Sequence, residues 1–204
     1  MLHCVTLNIY YFCLMKTKTV RKSSKKVKEL RKDAVGNKNN LVLTAIDLYH
    51  TKGPEVALSE IAEAAGVSRM TFYRNFPDRS ALIEAIFHYN LDELAVYAKS
   101  IESDGNAFFK LLETVMKQRA EYNLLQRYLD EKASSQLMLK LIDIFKAPVK
   151  KAKKEGALRT DFSTEKDLLL LIVMVAGTFI HGNFWDTKHF PKRAFEFILE
   201  GIRP

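Results

Sequence analysis

Arg69, Met70, Thr71, Arg74 and Asn75 crowd five side chains into seven consecutive positions. Two guanidinium groups, a hydroxyl and a carboxamide donate hydrogen bonds, and the thioether adds an apolar contact. On the outward side of a short helix, this set suits the base edges of a duplex major groove. Arg69 could engage guanine through two parallel hydrogen bonds, worth about 1–3 kcal/mol of discrimination against other bases.

The flanking sequence supplies the elements that would hold such a helix. Leu58, Ile61, Ala62 and Ala65 share one face of a predicted helix over 58–65. Ala62 and Ala65 are small enough for two helices to approach closely. Gly66 suits the positive φ of a tight turn. Ser68 can cap the next helix, which must end before Pro77. Val67 and Phe72 fill the gap between the two helices, and Phe72 and Phe76 read as core. Upstream, Asn39 and Asn40 are expected to cap a helix carrying Leu41, Ala45, Leu48 and Tyr49, stopped by Gly53-Pro54. Downstream, Asp78 is expected to cap a long helix with Leu82, Ala85, Ile86 and Tyr89 as its stripe. Three helices, the last two joined by Ala-Gly-Val-Ser, form a helix-turn-helix motif at 57–76.

Residues 41–87 resemble the TetR/AcrR family of bacterial transcriptional regulators. The likeness rests on Leu58-Ser59-Glu60-Ile61-Ala62-Glu63-Ala64-Ala65-Gly66-Val67-Ser68, on Thr71-Phe72-Tyr73-Arg74-Asn75-Phe76, and on Arg79 and Leu82. It implies that Arg69, Met70 and Thr71 face base edges and that Ser59 reaches a base or phosphate. It further implies that Ser68, Tyr73, Asn75 and Arg79 contact phosphates, a task suited to hydroxyl, phenol and guanidinium donors. Arg74 is either a DNA contact or a solvated, ion-pairing residue. The sequence departs from the family pattern in three places. Met70 replaces a common Gly and could touch a thymine methyl or shield the turn. Asn75 stands where His is common. Ala57 falls where Ser or Thr often caps the second helix, after a loop one residue short.

The rest of the chain shows no strand alternation, and the fold class is all-α. Helices are predicted over 79–101, 106–120, 122–129, 132–155, 164–184 and 191–202, with Thr164 and Asp167 as a capping box before the most apolar of them. The expected organisation is a leader and basic arm at 1–33, a DNA-binding domain at 34–94 and an effector-binding and dimerisation domain at 95–204. Resemblance implies a homodimer through 164–184 and 191–202, closed as a four-helix bundle with Phe195, Ile198 and Ile202 as one stripe. Two copies would then read a near-palindromic double-stranded operator. An effector pocket is implied in the middle helices. Its candidate liners are Phe108, Phe109, Met116, Tyr122, Tyr128, Phe145, Met174, Phe179 and Trp185, each also readable as plain core. Their character favours an apolar or aromatic small molecule.

Charge sharpens this division. The 204 residues carry a formal net charge of +8. Residues 16–40 hold ten basic and two acidic residues, which accounts for all of it. The arm is expected to add non-specific phosphate affinity, because segment 57–79 is itself neutral: Arg69, Arg74 and Arg79 balance Glu60, Glu63 and Asp78. The uncharged stretch before Met15 lacks the basic start of a secretory signal and is short for a membrane span. Translation is expected to begin at Met15, the alternative being a weakly membrane-associating leader. The expected compartment is the cytoplasm, with no membrane partner. Cys4 and Cys13 both precede Met15, which excludes a disulfide framework or cysteine-based chemistry in the body. His181, Asp186 and His189 match no familiar metal-ligand spacing, and no cofactor is called for. An enzyme is disfavoured, since no nucleophile-base set or phosphate loop stands out. The competing reading is an interaction protein or activator of the same fold, without ligand-controlled repression.

Overall fold

The computed structural model describes residues 29–122, 124–180 and 190–204. Every regular element among them is helical: α1 (Glu29–Lys52), α2 (Leu58–Ala64), α3 (Arg69–Asn75), α4 (Arg79–Ser100), α5 (Ala107–Tyr122), a 3-10 turn (Gln126–Tyr128), α6 (Glu131–Lys154), α7 (Asp167–Ile180) and α8 (Phe190–Ile202). The leader and residues 16–28 of the arm lie outside the described set, as do Trp185, His181, Asp186, His189 and the Gly182-Asn183 breaker. Residues 1–37 and 38–204 form separate units, and the packing below is that of the second.

Two apolar clusters account for the packing. The first gathers Leu41, Ala45 and Tyr49 of α1, Ile61 and Ala62 of α2, Phe72 and Phe76 around α3, and Leu82, Ile83 and Ile86 of α4. The second joins Leu94 of α4 to Phe108, Leu111 and Leu112 of α5, Phe145 and Val149 of α6, Leu168 and Ile172 of α7, and Ile202 of α8. Phe108 meets Phe145 and Phe162 edge-on, with ring centroids 6.0 and 5.6 Å away, the geometry that aromatic quadrupoles favour. Among the described residues the buried ones are hydrophobic, with the Tyr49 hydroxyl as a polar group among them. Helix α4 contributes to both clusters, so one continuous rod of 22 residues links them. No described helix is long and apolar enough to cross a membrane.

The local signals at 58–82 hold in detail. Asp78 accepts from the Ala81 N–H at 2.8 Å and starts α4. Asp130 does the same for α6 through the Ala133 N–H at 2.7 Å. Other expected boundaries move. Helix α1 begins at Glu29, so Asn39 and Asn40 are interior rather than capping; the Asn40 amide donates instead to the Ala65 carbonyl at 3.0 Å, pinning α1 to the end of α2. The helix expected over 122–129 is reduced to one 3-10 turn, because the chain must be extended at Leu129 and Asp130 to set the α6 cap. The box before α7 uses Ser163 rather than Thr164. Ser163 Oγ accepts from the Lys166 N–H at 3.2 Å, while Asp167 accepts from the Ser163 N–H at 2.7 Å.

Candidate nucleic-acid interface

The turn between α2 and α3 is built from backbone bonds that its sequence makes possible. The Val67 N–H reaches the Ala62 carbonyl and the Gly66 N–H the Glu63 carbonyl, each at 3.0 Å. This double closure needs a left-handed residue, and Gly66 supplies it at φ 69°. Two residues later Ser68, in extended backbone, accepts from the Thr71 N–H at 3.2 Å and caps α3. By contrast Ala57, in the same conformation before α2, offers no side-chain cap.

Helix α3 is fixed by its buried side. Phe72 and Phe76, one turn apart, are sealed in the first cluster, and Val67 packs half-buried beside them. The opposite side is left to solvent. Arg69, Met70, Tyr73 and Arg74 are exposed. The Tyr73 ring stands edge-on against Phe72 at 5.5 Å, which orients the phenol outward from a buried support. Thr71 is half-buried, and its hydroxyl lies 2.9 Å from that of Ser68. Asn75 gives its amide to the Thr71 carbonyl at 2.8 Å, so part of the donor capacity expected of it is spent within its own helix. Ser59 is half-buried at the start of α2.

Arg79 sits differently from the other expected contacts. Its Nη1 donates to the Pro54 carbonyl at 2.6 Å and to the Tyr49 hydroxyl at 3.4 Å, and its Nη2 donates to the Val56 carbonyl at 2.8 Å. The guanidinium also lies 5.7 Å from the centroid of the Tyr128 ring. Burial pushes the Tyr49 phenol above its ordinary value, against the opposing pull of Arg79. Around this node the 3-10 turn closes on the loop before α2. Arg127 pairs with Glu55, the Tyr128 hydroxyl donates to Glu55 at 3.1 Å, and the Ser80 hydroxyl donates to the Tyr128 carbonyl at 2.7 Å. Leu125 enters the first cluster beside them. Sequence reasoning did not single out Glu55, Ser80, Leu125 or Arg127. Ser80 bonds across 48 positions and Glu55 across 72 and 73, and no local pattern announces such pairs.

Of the expected pocket liners, Phe108, Met116 and Phe145 are buried in the second cluster, with Phe109 partly buried against it. Tyr128 packs instead on the first cluster. Met174 is 51% exposed and so lies on the surface of α7. The side chains of Tyr122 and Phe179 lie outside the described set. A groove of about 530 Å³ lies between α1 and α4 beside the end of α3, lined by Val42 and Phe76 among others.

A family model described as bacterial regulatory proteins, tetR family, matches residues 41–86, the segment that builds this turn and its two helices. Residues 41–86 thus carry a DNA-binding domain of the tetR-family type. Solved structures share the wider fold. A TetR transcription regulatory protein from Mycobacterium vanbaalenii is 24% identical, with 86% of this chain and 99% of that one covered at a TM-score of 0.62. Thermus thermophilus FadR, a TetR-family repressor solved with lauroyl-CoA, is 22% identical, with 80% and 90% covered at 0.53. RolR, solved with resorcinol, is 16% identical, with 84% and 90% covered at 0.62. The match assigns DNA binding to the amino-terminal helices, and the solved structures show that the wider helical fold is one that TetR-family regulators share.

Proposed function

We propose that the protein is a homodimeric transcriptional repressor that a small apolar or aromatic molecule releases from a near-palindromic operator. The observation that carries this reading is α3 itself: a helix anchored by Phe72 and Phe76 that turns Arg69, Met70, Tyr73 and Arg74 to solvent. In this reading Arg69, Met70 and Thr71 meet base edges. Ser59, Ser68, Tyr73, Arg74 and Asn75 position the domain on phosphates, and Arg79 holds the loop that sets the angle of α2.

The reading assigns DNA binding to 34–94 and effector binding with dimerisation to 95–204. Helix α7 leaves Leu169, Leu170, Val173 and Met174 exposed, and α8 leaves Phe197 exposed. An apolar face of this extent on neighbouring helices suits a second copy of the chain. The ligands seen in FadR and RolR belong to those proteins, and they support a carboxy-terminal half able to hold an apolar or aromatic guest. Because α4 is common to both clusters, a guest that shifts one end of it alters the other, and its effect is limited by its differential affinity for the two states.

Selection from random double-stranded DNA with the purified protein tests this. The expected product is an inverted repeat with half-site centres about 34–36 Å apart. Enrichment of no sequence would sink the reading. A Val173→Glu protein should sediment as a monomer and lose operator affinity; an unchanged dimer would remove α7 from the interface.

A further inference from the structure

We infer that Met70 reads the C5-methyl group of a thymine, so that each operator half-site carries an A·T pair opposite it. This rests on the DNA-binding reading above and adds the identity of one base. Met70 is 83% exposed, more than any other large hydrophobic side chain among the described residues. A side chain shielding the turn would be covered by it, so that alternative finds no support. At 100° per residue, Met70 and Arg74 fall on the side of α3 opposite Phe72 and Phe76, whose exposures are 0% and 1%. They form the outermost ridge of the helix, one turn apart. Arg69, which precedes Met70, and Arg74, one turn beyond it, are both exposed and supply positive charge that draws the duplex close.

The chemistry of that ridge selects its partner. Every base pair lines the major groove with hydrogen-bonding atoms, and among the four natural bases only thymine adds an apolar group. A thioether donates no hydrogen bond and accepts poorly. Pressed against a polar edge it would strip water from base atoms and return nothing. Against a methyl group it buries apolar surface, and its unbranched chain can adjust to the fit.

The experiment uses the selected operator with thymine replaced by uracil, one symmetric pair of positions at a time, which removes only the methyl group. At one position the full-length protein should lose about fourfold in affinity per half-site, or about 15-fold for both. Met70→Ala should bind the thymine and uracil operators alike, and it should fold normally because the side chain is exposed. If no replacement weakens binding, the inference is overturned. It is also overturned if Met70→Ala keeps the sensitivity and Thr71→Ser loses it, since the methyl would then face Thr71. If selection enriches no sequence, the DNA-binding reading falls and takes this inference with it, an outcome distinct from an operator indifferent to uracil.

Discussion

Arg79 and Val56 are joined by a 2.8 Å hydrogen bond from Nη2 to the backbone carbonyl, across 23 positions of sequence. The same guanidinium holds the carbonyl of Pro54, so the two residues flanking Glu55 are tied to the first turn of α4. A loop that leads into a helix without a side-chain cap gains its definition from this clamp. Arg79→Met should therefore destabilise the protein by about 2–4 kcal/mol in denaturant unfolding, since two carbonyls lose a charged donor. It should weaken operator binding while leaving the salt dependence of affinity unchanged. A direct phosphate contact would instead lower the salt slope by about one.

Alkaline stability should report on Tyr49. Its phenol is pushed above the ordinary value of 10.0, chiefly by burial. Above that pH the unfolded chain releases the proton and the folded chain retains it. Stability therefore falls as pH rises from 10.0 towards the folded value. Unfolding free energies measured across this window should decline less steeply for Tyr49→Phe. Difference absorption at alkaline pH should show one phenol of the parent protein ionising late, absent in the variant. Equal slopes for the two proteins would contradict the assignment.

The missing cap at Ala57 can be supplied. Its backbone, at φ −66° and ψ 140°, is already that of a capping residue. Ala57→Ser should stabilise the protein by about 0.5–1 kcal/mol. In a chain of this size the melting temperature should rise by about 1–4 °C. Operator affinity should stay within twofold. A fall in melting temperature would show that the serine hydroxyl cannot reach the N–H groups in the first turn of α2.

Seven basic residues precede Glu29, and no acidic residue does. A protein lacking residues 1–28 should bind its operator more weakly, with a salt dependence shallower by about 0.9 for each phosphate that the arm neutralises. Its ranking of operator variants should be unchanged. A change in ranking would mean that the arm reads sequence rather than adding charge.

The turn at 62–68 is legible in the sequence because each requirement there is local. Gly66 must turn left-handed, Ser68 must cap, Phe72 and Phe76 must share a buried side, and each does. The start of α1 is obscured for the opposite reason. Asn39-Asn40 has the composition of a cap, but the Asn40 amide is claimed by the Ala65 carbonyl, 25 positions away. Arg79 likewise matches a family position, while its partners at Pro54, Val56 and Tyr128 emerge only once α1, α4 and the 3-10 turn are packed. Met70 is 83% exposed, a placement that its side-chain type alone does not announce.

The apolar make-up of the second cluster has an evolutionary consequence. A cluster built of hydrophobic side chains asks little of a substitution beyond volume, and volume-conserving exchanges typically cost under about 1.5 kcal/mol. Side chains around the second cluster can thus be traded one at a time, each step leaving a folded protein. The helix-turn-helix has no such latitude, because Gly66 and Ser68 answer to backbone geometry. Substitutions should therefore be tolerated more readily in the second cluster than at Gly66 and Ser68.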